Sequence, residues 1–408
     1  MSECLYDSFF LNNVHITSTM KKVILSIIIA CLFNCCIQEF IPQGIEEVRG
    51  ILVIDGMIQD GESVFRISYS VGISDTLDGS EAINHAEVYV ESDDGMRIPA
   101  FFAGNGTYVA QTPVLEAAKA YRLSVLIDGE ICESEYLSPI FTTEIDSIFP
   151  IKEGGNSSVE PIKICIATFD PDNRSVYYRW KYRETWEVKA ELYAQGRYLE
   201  DENGRIIDYG TIIPHSLRTS ENTYYCWGRD SSKTFVLAST EKLLENRIAQ
   251  QQLVTIPSDH DKLSVLYHIE VEQMQIRETA YNYFADIKEQ TDRSGDIFDP
   301  IITTGLRGNI SFRNDPERVV IGYIEVATIT TVDRYIWERE GFYNPPLRMC
   351  TPYVIPWEGT YMLWDRDFFG YVRAVYNDEA SADKRCVDCR TKENASKAKP
   401  LGWPTDHL

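Results

Sequence analysis

The residues with the clearest chemistry lie near the start of the chain. Lys21-Lys22 precedes an apolar run from Val23 to Phe33, and the run closes on Asn34-Cys35-Cys36. A basic segment followed by a short apolar one is a secretory leader. A helix needs about 20 apolar residues to cross a bilayer, so this run is too short to span one. An apolar stretch that ends in small residues and then Cys is the pattern of a bacterial lipobox, whose thiol is acylated and becomes the new N-terminus. Three thiols compete for that role. Cys31 leaves a very short leader after Met20, Cys35 follows Asn34, and Cys36 follows the smaller Cys35. Cys36 is therefore the expected lipidation site, with Cys35 the alternative. Each buried CH₂ of an acyl chain contributes about 0.8 kcal/mol, so several chains anchor a protein to the membrane for good. Met1 to Thr19 show no pattern and read as an upstream artefact, with Met20 the true start and residues 20–35 the leader.

Six further thiols follow: Cys132, Cys165, Cys226, Cys350, Cys386 and Cys389. An exported chain with an even number of cysteines is a candidate for disulfides. Cys386-Val387-Asp388-Cys389 is a C-x-x-C, but it lacks the βαβ context of a redox dithiol and a second pair at zinc-ligand spacing. Disulfides among Cys226, Cys350, Cys386 and Cys389 are the expectation, and the spacing leaves all three connectivities open.

Other chemistry is sparse. His85, His215, His260, His268 and His407 stand outside any G-x-S-x-G, H-E-x-x-H or Walker context. Asp259-His260-Asp261 and Asp170-Pro171-Asp172-Asn173 carry metal-type donors, yet polar turns explain both. No catalytic, cofactor or metal residue is assigned, and a non-enzymatic protein is expected. A net charge of −23 argues against nucleic acid, whose phosphates are bound by Lys and Arg. Aromatic residues make up 12%, with 24 Tyr and 7 Trp, which suits a β-rich binding protein. Trp180, Trp186, Trp227, Trp337, Trp357, Trp364 and Trp403 could stack on a sugar or fill a core. Loops on a rigid sheet concentrate contacts. The Pro-punctuated stretch 341–365, with Tyr353, Trp357 and Trp364, is thus the expected partner contact.

Short alternating segments must position these residues. Phe65, Ile67 and Tyr69 alternate with polar neighbours, as do Ala86, Val88 and Val90, and then Leu123, Val125 and Ile127. Ile51 to Ile54 reads as a buried strand ended by Asp55-Gly56, and Asp128-Gly129 as a hairpin turn. About seven strands in roughly 95 residues is the pattern of an immunoglobulin- or transthyretin-like sandwich. The expected organisation is a tether over 36–47, a β-sandwich over 48–145 and a larger β-rich domain over 146–408. Within the latter, Val176, Tyr178, Trp180 and Tyr182 give one aromatic strand face, and Tyr177, Arg179, Lys181 and Arg183 a largely basic one. Leu263 to Gln275 and Val319 to Thr331 read as long strands. Ile276, Ala280, Tyr283, Phe284 and Ile287 mark one face of a helix. The fold class is therefore mainly β with at least one α-helix.

Several of these segments together resemble a Bacteroidetes family of outer-membrane lipoproteins, the domain of unknown function DUF4249. They are Cys36-Ile37-Gln38-Glu39-Phe40 with Ile51 to Gly56, and Ile145-Asp146-Ser147-Ile148. Gly295 to Pro300, Gly308-Asn309-Ile310 and Val320-Ile321-Gly322-Tyr323 follow in the family's order. The tail adds Cys386 to Arg390, Lys399-Pro400 and Trp403-Pro404, though Lys392-Glu393-Asn394 stands where the family often has Gly-Gly. The resemblance implies a lipid-anchored protein on the outer membrane, with Gln38-Glu39-Phe40 similar to a surface-export signal. It also implies partnership with a TonB-dependent transporter, and a small-molecule or glycan ligand is consistent with that. The alternatives are a structural or adhesive surface protein and a carbohydrate-active enzyme.

Overall fold

In the computed structural model the first alternating segments pair as antiparallel strands. β1 (Leu52–Ile58), β2 (Gly61–Ser70), β3 (Ser80–Ala82), β4 (Glu87–Ser92), β5 (Arg97–Gly104), β6 (Thr107–Thr112), β7 (Tyr121–Ile127) and β8 (Glu130–Ser134) share one sheet. The residues described are 50–70, 80–152, 160–192, 194–200, 202, 206–212, 223–232, 235–293, 307–344, 350, 353–354, 373–374, 380–381 and 384–405. Asp128 and Gly129 both take positive φ, 52° and 83°, as the β7–β8 hairpin requires. Asp55-Gly56 behaves differently from expectation. It lies inside β1 opposite Arg66 and Phe65, where a Cβ on residue 56 would sit 2.7 Å from the Val64 carbonyl oxygen. The glycine there allows close strand approach, and the chain turns later, at Gly61.

The inward residues of these strands, among them Leu52, Ile54, Phe65, Ile67, Val88, Val90, Leu123 and Val125, form one core. Hydrogen bonding runs unbroken from β8 through β7, β4, β5, β6 and β2 to β1, and β1 also approaches β7. The sheet curls over its own core, where the alternation led to the expectation of two separate sheets. Alternation reports which face is buried and not whether the covering layer belongs to the same ladder.

β9 (Ile145–Lys152), β10 (Ile162–Phe169) and β16 (Arg247–Ile256) make a three-stranded sheet. β11 (Tyr177–Lys189), β14 (Tyr225–Ser231), β15 (Val236–Ser239), β17 (Leu266–Ile276), β21 (Thr330–Trp337) and β25 (Ala395–Ser396) make the central sheet. Ile148, Ile162, Ile164 and Ile256 of the first pack on Tyr178, Trp180, Trp186, Tyr267 and Ile269 of the second. A fully buried polar layer threads this core. Asp170 accepts from Gln275 Nε2 at 2.7 Å and from the Arg174 amide at 2.7 Å, and Gln273 accepts from Trp180 Nε1 at 2.9 Å. The Asp170 turn is thus a structural anchor. β12 (Ala194–Glu200), β13 (Ile206–Ile212), β22 (Tyr353–Val354), β23 (Arg373–Ala374) and β24 (Ala380–Ser381) form a fourth sheet.

The helix expected after β17 is α1 (Glu278–Arg293), which buries Ala280, Tyr283 and Phe284. The long strand expected over 319–331 is instead broken into β19 (Val320–Ile321), β20 (Glu325–Val326) and the start of β21. Gly322 interrupts it, because a Cβ there would lie 2.2 Å from the Ile54 carbonyl oxygen. β19 and β20 run parallel to β1, while β18 (Ile310–Phe312) pairs with β8. Residues beyond 146 therefore complete the first sheet at both of its edges, and Val48–Leu408 forms one compact unit.

Candidate functional site

One face of β11 looks into the sandwich core and the other carries Tyr177, Arg179, Lys181, Arg183, Thr185 and Glu187. Register places Glu272, Glu270 and His268 of β17 beside Lys181, Arg183 and Thr185, and Asp333 and Tyr335 of β21 beyond them. The outer face of the central sheet is thus a polar field, and it is closed at its two ends by aromatic groups.

At one end, α1 and the residue before β15 cover Arg179. Its guanidinium carbon lies 4.0 Å from the Phe235 ring centre and 4.1 Å from that of Phe284, and the two ring centres are 5.0 Å apart. The cation therefore sits in the angle between two rings, favourable to their negative faces. Arg179 is only 5 % exposed and its Nε is buried without a hydrogen-bond partner. Burial pushes its pKa down to about 10, against the attraction of Asp55, Glu325 and Glu272. Glu325 is itself paired with Arg277, and Glu272 lies 3.0 Å from Arg183. Lys181, two residues along the same face, is exposed, with its Nζ 5.8 Å from the Phe235 ring.

At the other end the tail folds back. Trp403 is buried and donates through Nε1 to Glu187 Oε2 at 2.7 Å. It packs with Trp227, Val265 and Leu266, and its ring meets those of His268 and Tyr335. His268 Nε2 is 3.0 Å from Asp333 Oδ2. Lys397 donates to the Tyr225 carbonyl oxygen at 2.5 Å, and burial, with the nearby Arg390 charge, lowers its pKa to about 8. The structure joins Cys226 of β14 to Cys389 and Cys350 to Cys386, each pair with Cα atoms 5.6 Å apart. The C-x-x-C thus holds two separate distant cysteines and pins the tail to the central sheet. Asp388 between them is buried and bound by Arg390 through Nε at 2.9 Å and Nη2 at 2.6 Å. Cys132 and Cys165 are buried and take no part in the two disulfides, and burial pushes Cys132 up to about 12.

The other expected residues fall elsewhere. Trp180 and Trp186 are core, and Trp337 is half-buried at the end of β21. Tyr353 begins β22, whereas Trp357, Trp364, Cys35, Cys36, His215, His407 and Gly295 to Pro300 lie outside the described residues. His260 caps the short helical turn Asp261–Leu263, its Nδ1 accepting from the Lys262 amide. His85 pairs with Asp128 on the surface. The isolation of Arg179 escaped sequence reading: the basic strand face was visible, but its covering rings come from residues 56 and 105 positions away.

The Gly308-Asn309-Ile310 and Val320-Ile321-Gly322-Tyr323 segments meet as a clasp. Asn309 donates to the Ile324 carbonyl oxygen at 2.8 Å and accepts from its amide at 2.9 Å. Gly308 lies so close that a Cβ would overlap the Gly322 carbonyl oxygen. These residues close β18 and β20 onto the first sheet.

No curated protein matches the chain. A solved DUF4785 family protein from Legionella pneumophila is similar at 7% identity and a TM-score of 0.14, covering 56% of this chain and 51% of that one. This chain therefore spans about half of that protein's length. A sequence model matches residues 37–333, well over half of the chain, and the protein belongs to the family described as a domain of unknown function, DUF4249.

Proposed function

We propose that the protein is a lipid-anchored subunit of a Bacteroidetes outer membrane, facing outward, that binds ligand on behalf of a TonB-dependent transporter. The observation that carries the reading is the leader, in which Lys21-Lys22 and a short apolar run end at Cys35-Cys36. Its length fits export and its terminal thiols fit acylation. A binding role is favoured by the polar outer face of the central sheet, bounded by Phe235, Phe284 and Trp403. The transporter is the partner that the family resemblance suggests.

Membrane fractionation and co-purification test this together. Cys35→Ser/Cys36→Ser should release the protein from membranes, and the unaltered protein in detergent should carry a β-barrel of transporter size. Membrane retention of the double variant contradicts the anchor. A retained protein that brings no barrel contradicts the transporter role and favours an adhesive one.

A further inference from the structure

A buried cation without an acceptor is a costly arrangement, and natural interiors almost always pair such groups. Arg179 departs from that rule. Its Nε has no partner, its neighbours Phe235 and Phe284 offer ring faces only, and the carboxylates that attract it act through space. Two of those carboxylates, Glu325 and Glu272, are already engaged by Arg277 and Arg183. Exposed Lys181 stands on the same strand face, and Arg66 adds a positive charge near it. Asp55, also exposed, is the acidic group left opposing them.

We propose that Arg179 and Lys181 form a subsite for an oxyanion carried by a ligand, a carboxylate or a phosphate. A guanidinium lying against aromatic rings keeps its in-plane N–H edges for hydrogen bonding, and those edges match two oxygens of such a group. Lys181, exposed on the same strand face with its Nζ 5.8 Å from the Phe235 ring, supplies a second ammonium. The net charge of −23 does not forbid this, because at physiological salt charges more than about 8 Å away are largely screened. The inference rests on reading the molecule as a binding subunit and names the chemistry of what it binds.

Isothermal titration of the full chain in detergent, with trigalacturonate and with inorganic phosphate at matched ionic strength, tests the subsite. Binding of either probe is expected, and the preferred one identifies the carboxylate or phosphate source. Arg179→Met should weaken binding at least tenfold and Lys181→Gln several-fold, while Asp55→Asn should tighten it. Unliganded Arg179→Met should melt at or above the temperature of the unaltered protein. The proposal is overturned if neither probe binds, if Lys181→Gln and Asp55→Asn leave affinity unchanged, or if Arg179→Met melts well below the parent. Fractionation and barrel co-purification are read separately, so failure here leaves the anchor and partner intact.

Discussion

Asn309 illustrates how one side chain can hold two distant segments together. Its amide satisfies both the N–H and the C=O of Ile324, which is fully buried. Asn309→Ala removes both partners at once, and each stranded buried group costs about 1–3 kcal/mol. Chemical denaturation should therefore show a loss of about 2–6 kcal/mol with an unchanged denaturant slope. A change under 1 kcal/mol would mean that water replaces the amide. Gly308 and Gly322 belong to the same clasp, since neither position has room for a Cβ. Arg179 is the opposite case: its surroundings leave a strong donor unused, which is why it bears on ligand chemistry where Asn309 bears on stability.

At the scale of elements, the tail is held by covalent bonds as well as packing. Cys226 and Cys389 are separated by 163 residues, and closing a long loop restricts the unfolded chain strongly. Replacing both with Ser should lower stability by about 2–5 kcal/mol, and a reductant should lower the melting temperature of the parent but shift this variant less. Equal shifts would place the stabilisation in the Cys350–Cys386 bond. Much of the element pattern was readable from periodicity: the Phe65 and Leu123 strands, the Asp128-Gly129 hairpin and the Ala280–Phe284 helix face all depend on neighbours close in sequence. What escaped was non-local. Asp55-Gly56 resembles a turn by composition but is a strand crossing point, and Gly322 breaks a β-branched run because Ile54 lies against it. A local pattern carries no information about which backbone will press on a glycine.

For the whole molecule, the mainly β architecture follows from composition and alternation, whereas its closure does not. Residues 307–327 return to both edges of the first sheet, so the chain cannot be cut near residue 145 without stripping β18, β19 and β20 from that sheet. The tail, through Trp403 and two disulfides, closes over the central sheet in the same long-range way. Charge acts at this scale as well: −23 favours a solvated body that resists self-association. On the proposed reading, acyl chains at the mature N-terminus tether such a body, and ligand and transporter meet it on the outer face of the central sheet. Mass spectrometry of the native N-terminal peptide tests this account most directly. It predicts a peptide that begins at Cys36, or at Cys35, with acyl chains on the thiol. An unmodified peptide, from protein recovered free in the culture medium, would contradict it.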